Sequence, residues 1–133
     1  MDSSDKGELA EAMTIAACKR LGITVLEPFG HEQAYDLVVE TSDGFQRLQC
    51  KHARYKNGTI RSHLFTAHGP DNRSYSEDEI DYFALYEPHT EQVYVVDVSE
   101  APKDNISLRV EEPEIDSPNI RWAEDYKIQD TFA

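Results

Sequence analysis

Five side chains in the first part of the chain have the types and spacing that metal-assisted hydrolysis needs: Glu8, Glu11, Asp36, Gln49 and Lys51. Glu8 and Glu11 stand three residues apart, so on a helix they lie one turn apart on the same surface. Asp36 opens a run of branched residues that ends in Val38-Val39. Gln49 and Lys51 are separated by one residue. In a strand such a pair points to one face and the intervening Cys50 to the other. Carboxylate and amide oxygens are the donors that a hard divalent cation such as Mg²⁺ takes. A lysine among them orients or deprotonates a water, or stabilises charge developing on a phosphate.

The rest of the pattern shows how these residues are brought together. Asp2, Ser3, Ser4 and Asp5 offer helix N-caps. Leu9, Met13, Ala16, Ala17 and Leu21 recur at helical spacing before Gly22, which predicts a helix over 5–21. A short strand over 23–26 ends at Pro28, and 28–34 reads as a polar loop. Strands are expected over 35–41, 45–54 and 59–65, with turns at Ser42-Asp43-Gly44 and Lys56-Asn57-Gly58. They read as an antiparallel meander whose first hairpin sets Asp36 beside Gln49 and Lys51. Residues 67–76 read as a long polar loop, 80–86 and 92–98 as two strands, and 106–110 as a last short strand. Trp122 and Tyr126 are expected to anchor a closing helix over 120–128. A helix, a meander and then mixed elements predict an α/β or α+β sheet with helices on its faces.

The 133 residues fit a single domain, and no apolar run approaches the length of a membrane span. The N-terminus lacks the basic start and apolar stretch of a secretory leader. Cys18 and Cys50 do not make a disulfide framework. They are expected to be free thiols in a cytoplasmic, reducing setting, with Cys18 packed in the core. Acids outnumber bases 26 to 13, a net charge of -13, which taken globally repels phosphates. Yet no acid falls between Gly44 and Pro70, where Arg47, Lys51, Arg54, Lys56 and Arg61 cluster with His52, His63 and His68. The chain therefore reads as an acidic body with one basic stripe. An acidic body suits a cell with high internal salt, such as a halophilic archaeon or the host of its virus. A cationic partner or nucleic-acid mimicry is the alternative, and the basic stripe stands against mimicry.

Several segments, taken in order, resemble the PD-(D/E)XK nuclease superfamily, and most closely its group I intron-associated, homing-type endonucleases. They are Lys6-Gly7-Glu8-Leu9-Ala10-Glu11, Pro28-Phe29-Gly30 with Tyr35-Asp36-Leu37-Val38-Val39, and Gln49-Cys50-Lys51-His52-Ala53-Arg54. Tyr75-Ser76 with Ile80-Asp81-Tyr82-Phe83-Ala84-Leu85-Tyr86, and Ile120-Arg121-Trp122-Ala123-Glu124-Asp125-Tyr126, complete the resemblance. The resemblance implies a restriction-endonuclease-like α/β core, a central mixed sheet flanked by helices. It implies Asp36 as the central metal ligand, joined by Gln49, Glu11 and the backbone carbonyl of Cys50, and Lys51 as the catalytic lysine. Glu11 stands four residues after Gly7, as the helix acid does in archaeal Holliday-junction resolvases of the same superfamily; Glu8 is an additional candidate. Tyr35 stands where the strict pattern has proline, and Gln49 where it usually has an acid.

The implied activity is hydrolysis of DNA phosphodiester bonds with Mg²⁺, or Mn²⁺ in its place. Arg47, His52, Arg54, Lys56 and Arg61 are the expected DNA contacts, and His31 lies in the loop before Asp36. Cutting both strands of a duplex needs two sites, hence a homodimer or tetramer. Two rivals remain open at this point: a Holliday-junction resolvase-like enzyme selective for branched DNA, and a non-catalytic DNA-binding module on the same fold.

Overall fold

The computed structural model describes residues 1–68, 71–113 and 119–132. Helix α1 (Ser3–Arg20) starts where the Asp2 side chain accepts a hydrogen bond from the Asp5 amide at 2.8 Å. Lys19 and Arg20 occupy its last turn, where the helix dipole favours cations. The chain then runs through β1 (Thr24–Leu26), β2 (Leu37–Thr41), β3 (Gly44–His52), β4 (Arg54–Lys56) and β5 (Thr59–His63). It continues through β6 (Phe65–His68), β7 (Asp71–Ser74), β8 (Tyr82–Glu87), β9 (Gln92–Asp97) and β10 (Asn105–Arg109). A 3₁₀ turn (Ala123–Tyr126) and helix α2 (Ile128–Phe132) follow. Among the described residues no helix is long and apolar enough to cross a membrane.

The central sheet has the order β1-β2-β3-β8-β9. It is antiparallel except between β3 and β8, which run parallel with Gln49 opposite Phe83 and Lys51 opposite Leu85. Strand β8 is buried along most of its length, as expected for a strand with neighbours on both sides and layers on both faces. One face packs on α1 and α2 through Leu37, Val39, Leu48, Cys50, Ala84, Ile128 and Phe132. The other packs Phe83, Leu85, Tyr94 and Val96 against Ile60, Ile106 and Leu108 of a second sheet, β10-β5-β4. Helices thus cover one face of the central sheet, and a small sheet takes the place of the helices expected on the other.

Helix α1 buries Ala10, Thr14 and Cys18 completely, a stripe offset from the expected Leu9–Met13 pattern. Small side chains bring the helix backbone close to the sheet, Thr14 Oγ1 satisfies itself on the Ala10 carbonyl at 2.8 Å, and Leu9, Met13, Ala17 and Leu21 pack around the margin. This phase leaves Glu8 exposed and Glu11 partly buried at the edge of the packed face.

Three expectations about connectivity are corrected. The meander breaks at Ala53, whose amide donates to the Tyr86 carbonyl at 2.8 Å. Residues beyond it leave the central sheet, so β4 and β5 pair with each other and β5 with β10, and neither pairs with β3. The polar Arg54-Tyr55-Lys56 segment suits a sheet edge, whereas β8 supplies the apolar neighbour that β3 needs. The expected loop over 67–76 contains the hairpin β6–β7; its polar composition hid a pair of strands that bond only to each other, and residues 69–70 lie outside the described residues. The closing helix begins later than expected. Trp122 bridges to Arg109 and precedes a 3₁₀ turn, and the α-helical turn that docks in the core carries Ile128 and Phe132.

The β4–β5 turn needs left-handed backbone at Asn57 (φ 52°) and Gly58 (φ 75°), the conformation that makes Asn-Gly the preferred hairpin turn. A Cβ on Gly58 would also come within 2.9 Å of Glu111 Cβ. Gly58→Ala is therefore expected to destabilise the fold by about 1–2 kcal/mol. Urea unfolding measures it, and an unchanged midpoint would show that this turn relaxes freely.

Candidate active site

Strand β2 begins at Leu37, one residue after Asp36, and that offset creates the site. The Asp36 amide donates to the Leu48 carbonyl at 2.8 Å, which is the last backbone bond of the β2–β3 ladder at this end. Backbone groups of alternate residues in a strand point to the same edge, so the amide and carbonyl of Cys50 also face β2, where no β2 residue remains to meet them. The Cys50 amide is met instead by Asp36 Oδ2 at 2.8 Å. The Cys50 carbonyl consequently points towards the same end of the sheet as the Asp36 carboxylate.

Gln49 and Lys51 project to the face away from α1, and with Asp36 they line a cleft of about 880 Å³. Its walls also include His31 and Glu32 from the loop before β2, His52, His63, and Arg73, Tyr75 and Glu79 from the β6–β7 hairpin and the segment after it. Lys51 Nζ donates to the Phe65 carbonyl at 3.1 Å and lies 5.3 Å from the centroid of the Tyr75 ring. Tyr75 in turn sets its ring edge-on to Phe83, with 5.6 Å between centroids. Cys50, on the opposite face, packs into the α1 core.

The electrostatics of the cleft centre on two carboxyl groups. Burial pushes the Asp36 carboxyl above the ordinary carboxylate range, opposed by the Cys50 amide and by Lys51. Burial also raises Glu11, reinforced by the neighbouring charges of Asp36, Glu27 and Glu8. Lys51 is lowered by burial, with Asp36 acting against that shift. His52 is lowered by burial first and then by the positive charge of Lys6. Glu11 therefore acts on Asp36 electrostatically although it comes from the helix side of the sheet. Among the described residues no group of three or more His, Cys, Asp and Glu side chains could hold a metal ion. A cation here would depend on the Gln49 amide and the Cys50 carbonyl as well as on Asp36 and Glu11. That all-oxygen donor set fits a hard divalent ion, and two carboxylates that both resist ionisation are relieved by one.

Four of the sequence candidates, Asp36, Gln49, Lys51 and His52, line one cleft. Cys50 joins Asp36 through its backbone, and Glu11 joins through charge. Glu8 is exposed. Arg47, one of the expected DNA contacts, is engaged within the chain. Its guanidinium donates to Asp81 at 3.0 and 3.1 Å and to the carbonyls of Glu77 and Asp78 at 2.8 and 2.9 Å. Its side chain holds the 76–81 segment against β3, where the Arg47 amide also donates to Asp81 at 2.8 Å. Arg54 and Lys56 are exposed on β4, and Arg61 is partly buried on β5. Cys18 is buried and free, as expected, its thiol pushed up to about 11 by burial. The sequence reading missed Arg73 and Glu79, which pair through two bonds of 2.9 and 2.7 Å on the cleft wall. Their six-residue separation across a loop carried no periodic signal.

Known proteins share this fold. A family model described as PD-(D/E)XK endonuclease matches residues 1–129. Among solved structures, that of a bacterial homing endonuclease, I-Ssp6803I, superposes with a TM-score of 0.74 at 21% identity, over 96% of this chain and 89% of that one. No curated protein matches the chain. The five-stranded mixed sheet with its helices is thus a restriction-endonuclease-like fold.

The pair that holds the 76–81 segment against β3 titrates. The Arg47 guanidinium holds the Asp81 carboxyl below its ordinary value, so the folded state has the lower pKa. The stability from this pair is therefore fully present above the unfolded carboxylate pKa and is lost as pH falls through the folded one. Asp81→Asn is expected to lower the melting temperature at neutral pH, with the gap to the parent closing as pH falls below about 4. A gap that stays constant with pH would remove the ion pair as its cause.

Proposed function

The chain belongs to the PD-(D/E)XK endonuclease family, and on that premise we propose that it is a divalent-metal-dependent, homing-type endonuclease that hydrolyses DNA phosphodiester bonds. The observation that carries the reading is the register at the end of β2. It sets the Asp36 carboxylate on the Cys50 amide and turns Gln49 and Lys51 into the cleft beside it. The homing assignment takes its support from the likeness to I-Ssp6803I, itself a homing endonuclease.

Asp36, Glu11, the Gln49 amide oxygen and the Cys50 carbonyl would hold Mg²⁺, or Mn²⁺ in its place. Such an ion, when bound, polarises the phosphoryl oxygen and makes water a stronger acid. Asp36 is positioned for this by the Cys50 amide, which leaves its Oδ1 free of that bond. Gln49 contributes oxygen without charge. Lys51 keeps its ammonium head in the cleft, held by the Phe65 carbonyl. From there it donates protons to a phosphate oxygen or orients the attacking water. Lys56, Arg54 and Arg61 supply cations for the DNA backbone, while Arg47 supports the wall. Incision of both strands of a duplex calls for a second copy of the chain.

Cleavage of linear duplex, supercoiled plasmid and a four-way junction, with and without Mg²⁺ over a salt series, tests this reading. Lys51→Ala and Asp36→Ala are each expected to lower the rate at least about a hundredfold, with Lys51→Ala retaining DNA binding. Preference for the junction would replace the homing assignment with a structure-selective one. DNA binding without cutting of any substrate would leave a binding module. Gln49→Glu adds a negative oxygen donor and is expected to shift half-maximal binding to lower Mg²⁺ concentration in calorimetry. An unchanged midpoint would take Gln49 out of the ligand set.

A further inference from the structure

Beyond His52, Ser62 and His63, which line the candidate active site, the surface opens into a second concavity of about 440 Å³ lined by the same three residues. The two therefore adjoin along one trough. Lys6 from the first turns of α1 and Arg54 and Arg61 from the β4–β5 hairpin supply the cations of the remaining wall, which also holds His89 from the β8–β9 turn.

Arg54 and Arg61 are direct cross-strand partners. Residues so paired project to one face with Cβ atoms about 5 Å apart, and like charges there are destabilising. Neither has an ion-pair partner among the described residues, where the ion pairs are Arg47–Asp81 and Arg73–Glu79. Arg61 Nε donates to Thr59 Oγ1 at 2.9 Å, and Arg54 makes no side-chain hydrogen bond among the described residues. One acid, Glu87, lies in the wall, but it is fully buried. Its oxygens accept from the amides of His89 and Thr90 and from Thr90 Oγ1 at 2.6–2.7 Å, which fastens the β8–β9 turn. Beside the arginines the ring of Tyr55 lies on that of His89, with 4.2 Å between centroids and 31° between planes. Both rings line the trough, and the Tyr55 hydroxyl donates to Glu111 Oε1 at 2.9 Å.

A chain with twice as many acids as bases has an ample supply of carboxylates to neutralise two opposed guanidiniums, yet the one that lines the trough, Glu87, is committed to the β8–β9 turn. The pair is suited to an anion that presents several oxygens to two planar forks at once, which is the chemistry of a phosphodiester. We propose that this trough is a backbone subsite in which Arg54 and Arg61 together grip one phosphate of the strand whose scissile phosphate occupies the Asp36–Lys51 cleft. The assignment rests on the endonuclease reading and adds to it the path that strand takes. It separates Arg54 and Arg61 from Lys56, which does not line the trough.

Binding of a mixed-sequence duplex, measured by fluorescence anisotropy between about 50 and 200 mM KCl, tests it. The parent chain, Arg54→Gln/Arg61→Gln and Lys56→Gln are compared, with thermal melts of each. The double variant is expected to bind at least about tenfold more weakly at the lowest salt. Its slope of log affinity against log salt should be shallower by about 0.9 for each phosphate no longer neutralised. Its melting temperature should equal or exceed the parent's, because the like-charge opposition is removed. Arg54→Lys/Arg61→Lys keeps the charge and should recover most of the slope but not all of the affinity, a readout that misfolding would not produce. Equal affinity and slope in parent and double variant would overturn the subsite while leaving Mg²⁺-dependent cleavage, and so the endonuclease reading, intact. A parent that binds no DNA at any salt would overturn both. Inorganic phosphate that shifts the Arg54 and Arg61 side-chain NMR signals, with duplex binding unaffected by the substitutions, would make the trough a free-anion site and overturn its assignment to a strand.

Discussion

Where β2 runs out, the Cys50 amide loses its strand partner and takes the Asp36 carboxylate at 2.8 Å. A buried amide left without an acceptor would carry a penalty of about 1–3 kcal/mol, so the bond stabilises the sheet end and at the same time fixes one oxygen of Asp36. The remaining geometry follows from strand parity. If the Cys50 amide faces β2, so does its carbonyl, and Gln49 and Lys51 bond towards β8 while their side chains turn to the face away from α1. One residue of slip between β2 and β3 would invert this, driving Leu48 and Cys50 out of the helix-side core and Gln49 and Lys51 into it. The complete burial of Leu37, Val39 and Leu48 therefore guards the register of the chemistry as well as the stability of the core.

The same parity explains how an acidic chain keeps cations where a phosphate would lie. Acids and bases are segregated by segment: β3 to β5 carry the basic run, and much of the acidic excess lies in residues 27–43, the 76–81 segment and the C-terminal part. At the border between them the charges are consumed locally, Arg47 by Asp81 and Arg73 by Glu79. Arg54 and Arg61 sit past that border, on strands that have left the central sheet. The break at Ala53 is thus what separates a structural arginine from two that face the trough: upstream of it the backbone follows β8 and meets Asp81, and downstream it turns into the second sheet.

Much of this was legible in the sequence, because periodicity and turn chemistry are local. The first helix, the β2–β3 hairpin at Ser42-Asp43-Gly44, the β4–β5 turn at Asn57-Gly58, and strands β8 and β9 all fall within a few residues of their expected places. The Gln49–Lys51 spacing was enough to place both side chains on one face. What remained hidden depends on contacts between distant segments. Nothing in residues 45–65 states that β3 pairs with β8, over 30 residues on, in preference to β5. The β6–β7 hairpin lacks an alternating apolar pattern because its strands bond only to each other. Arg47 looked like any other base in the stripe, since its partner lies 34 residues away. The helix phase reads from its larger apolar residues, whereas close packing selects the small ones, Ala10, Thr14 and Cys18.

Gln49 can be understood through the same electrostatics. Asp36 and Glu11 already stand above the ordinary carboxylate range, burial being the first cause in both and Asp36 adding to the shift of Glu11. A third carboxylate at position 49 would raise all three further. A neutral amide keeps an oxygen donor in the same place without that repulsion. With the proposed ligand set, a cation would be held more weakly in the absence of substrate, because ligand charge sets affinity for hard ions. A phosphodiester entering the cleft brings the missing negative charge, so cation and DNA are expected to strengthen each other's binding by the same factor. The opposed arginines of the neighbouring trough act in the same sense: they are a strain while the trough is empty, and an anion converts it into affinity. On this reading both halves of the surface are left electrostatically incomplete, each lacking the charge that a nucleic-acid strand carries.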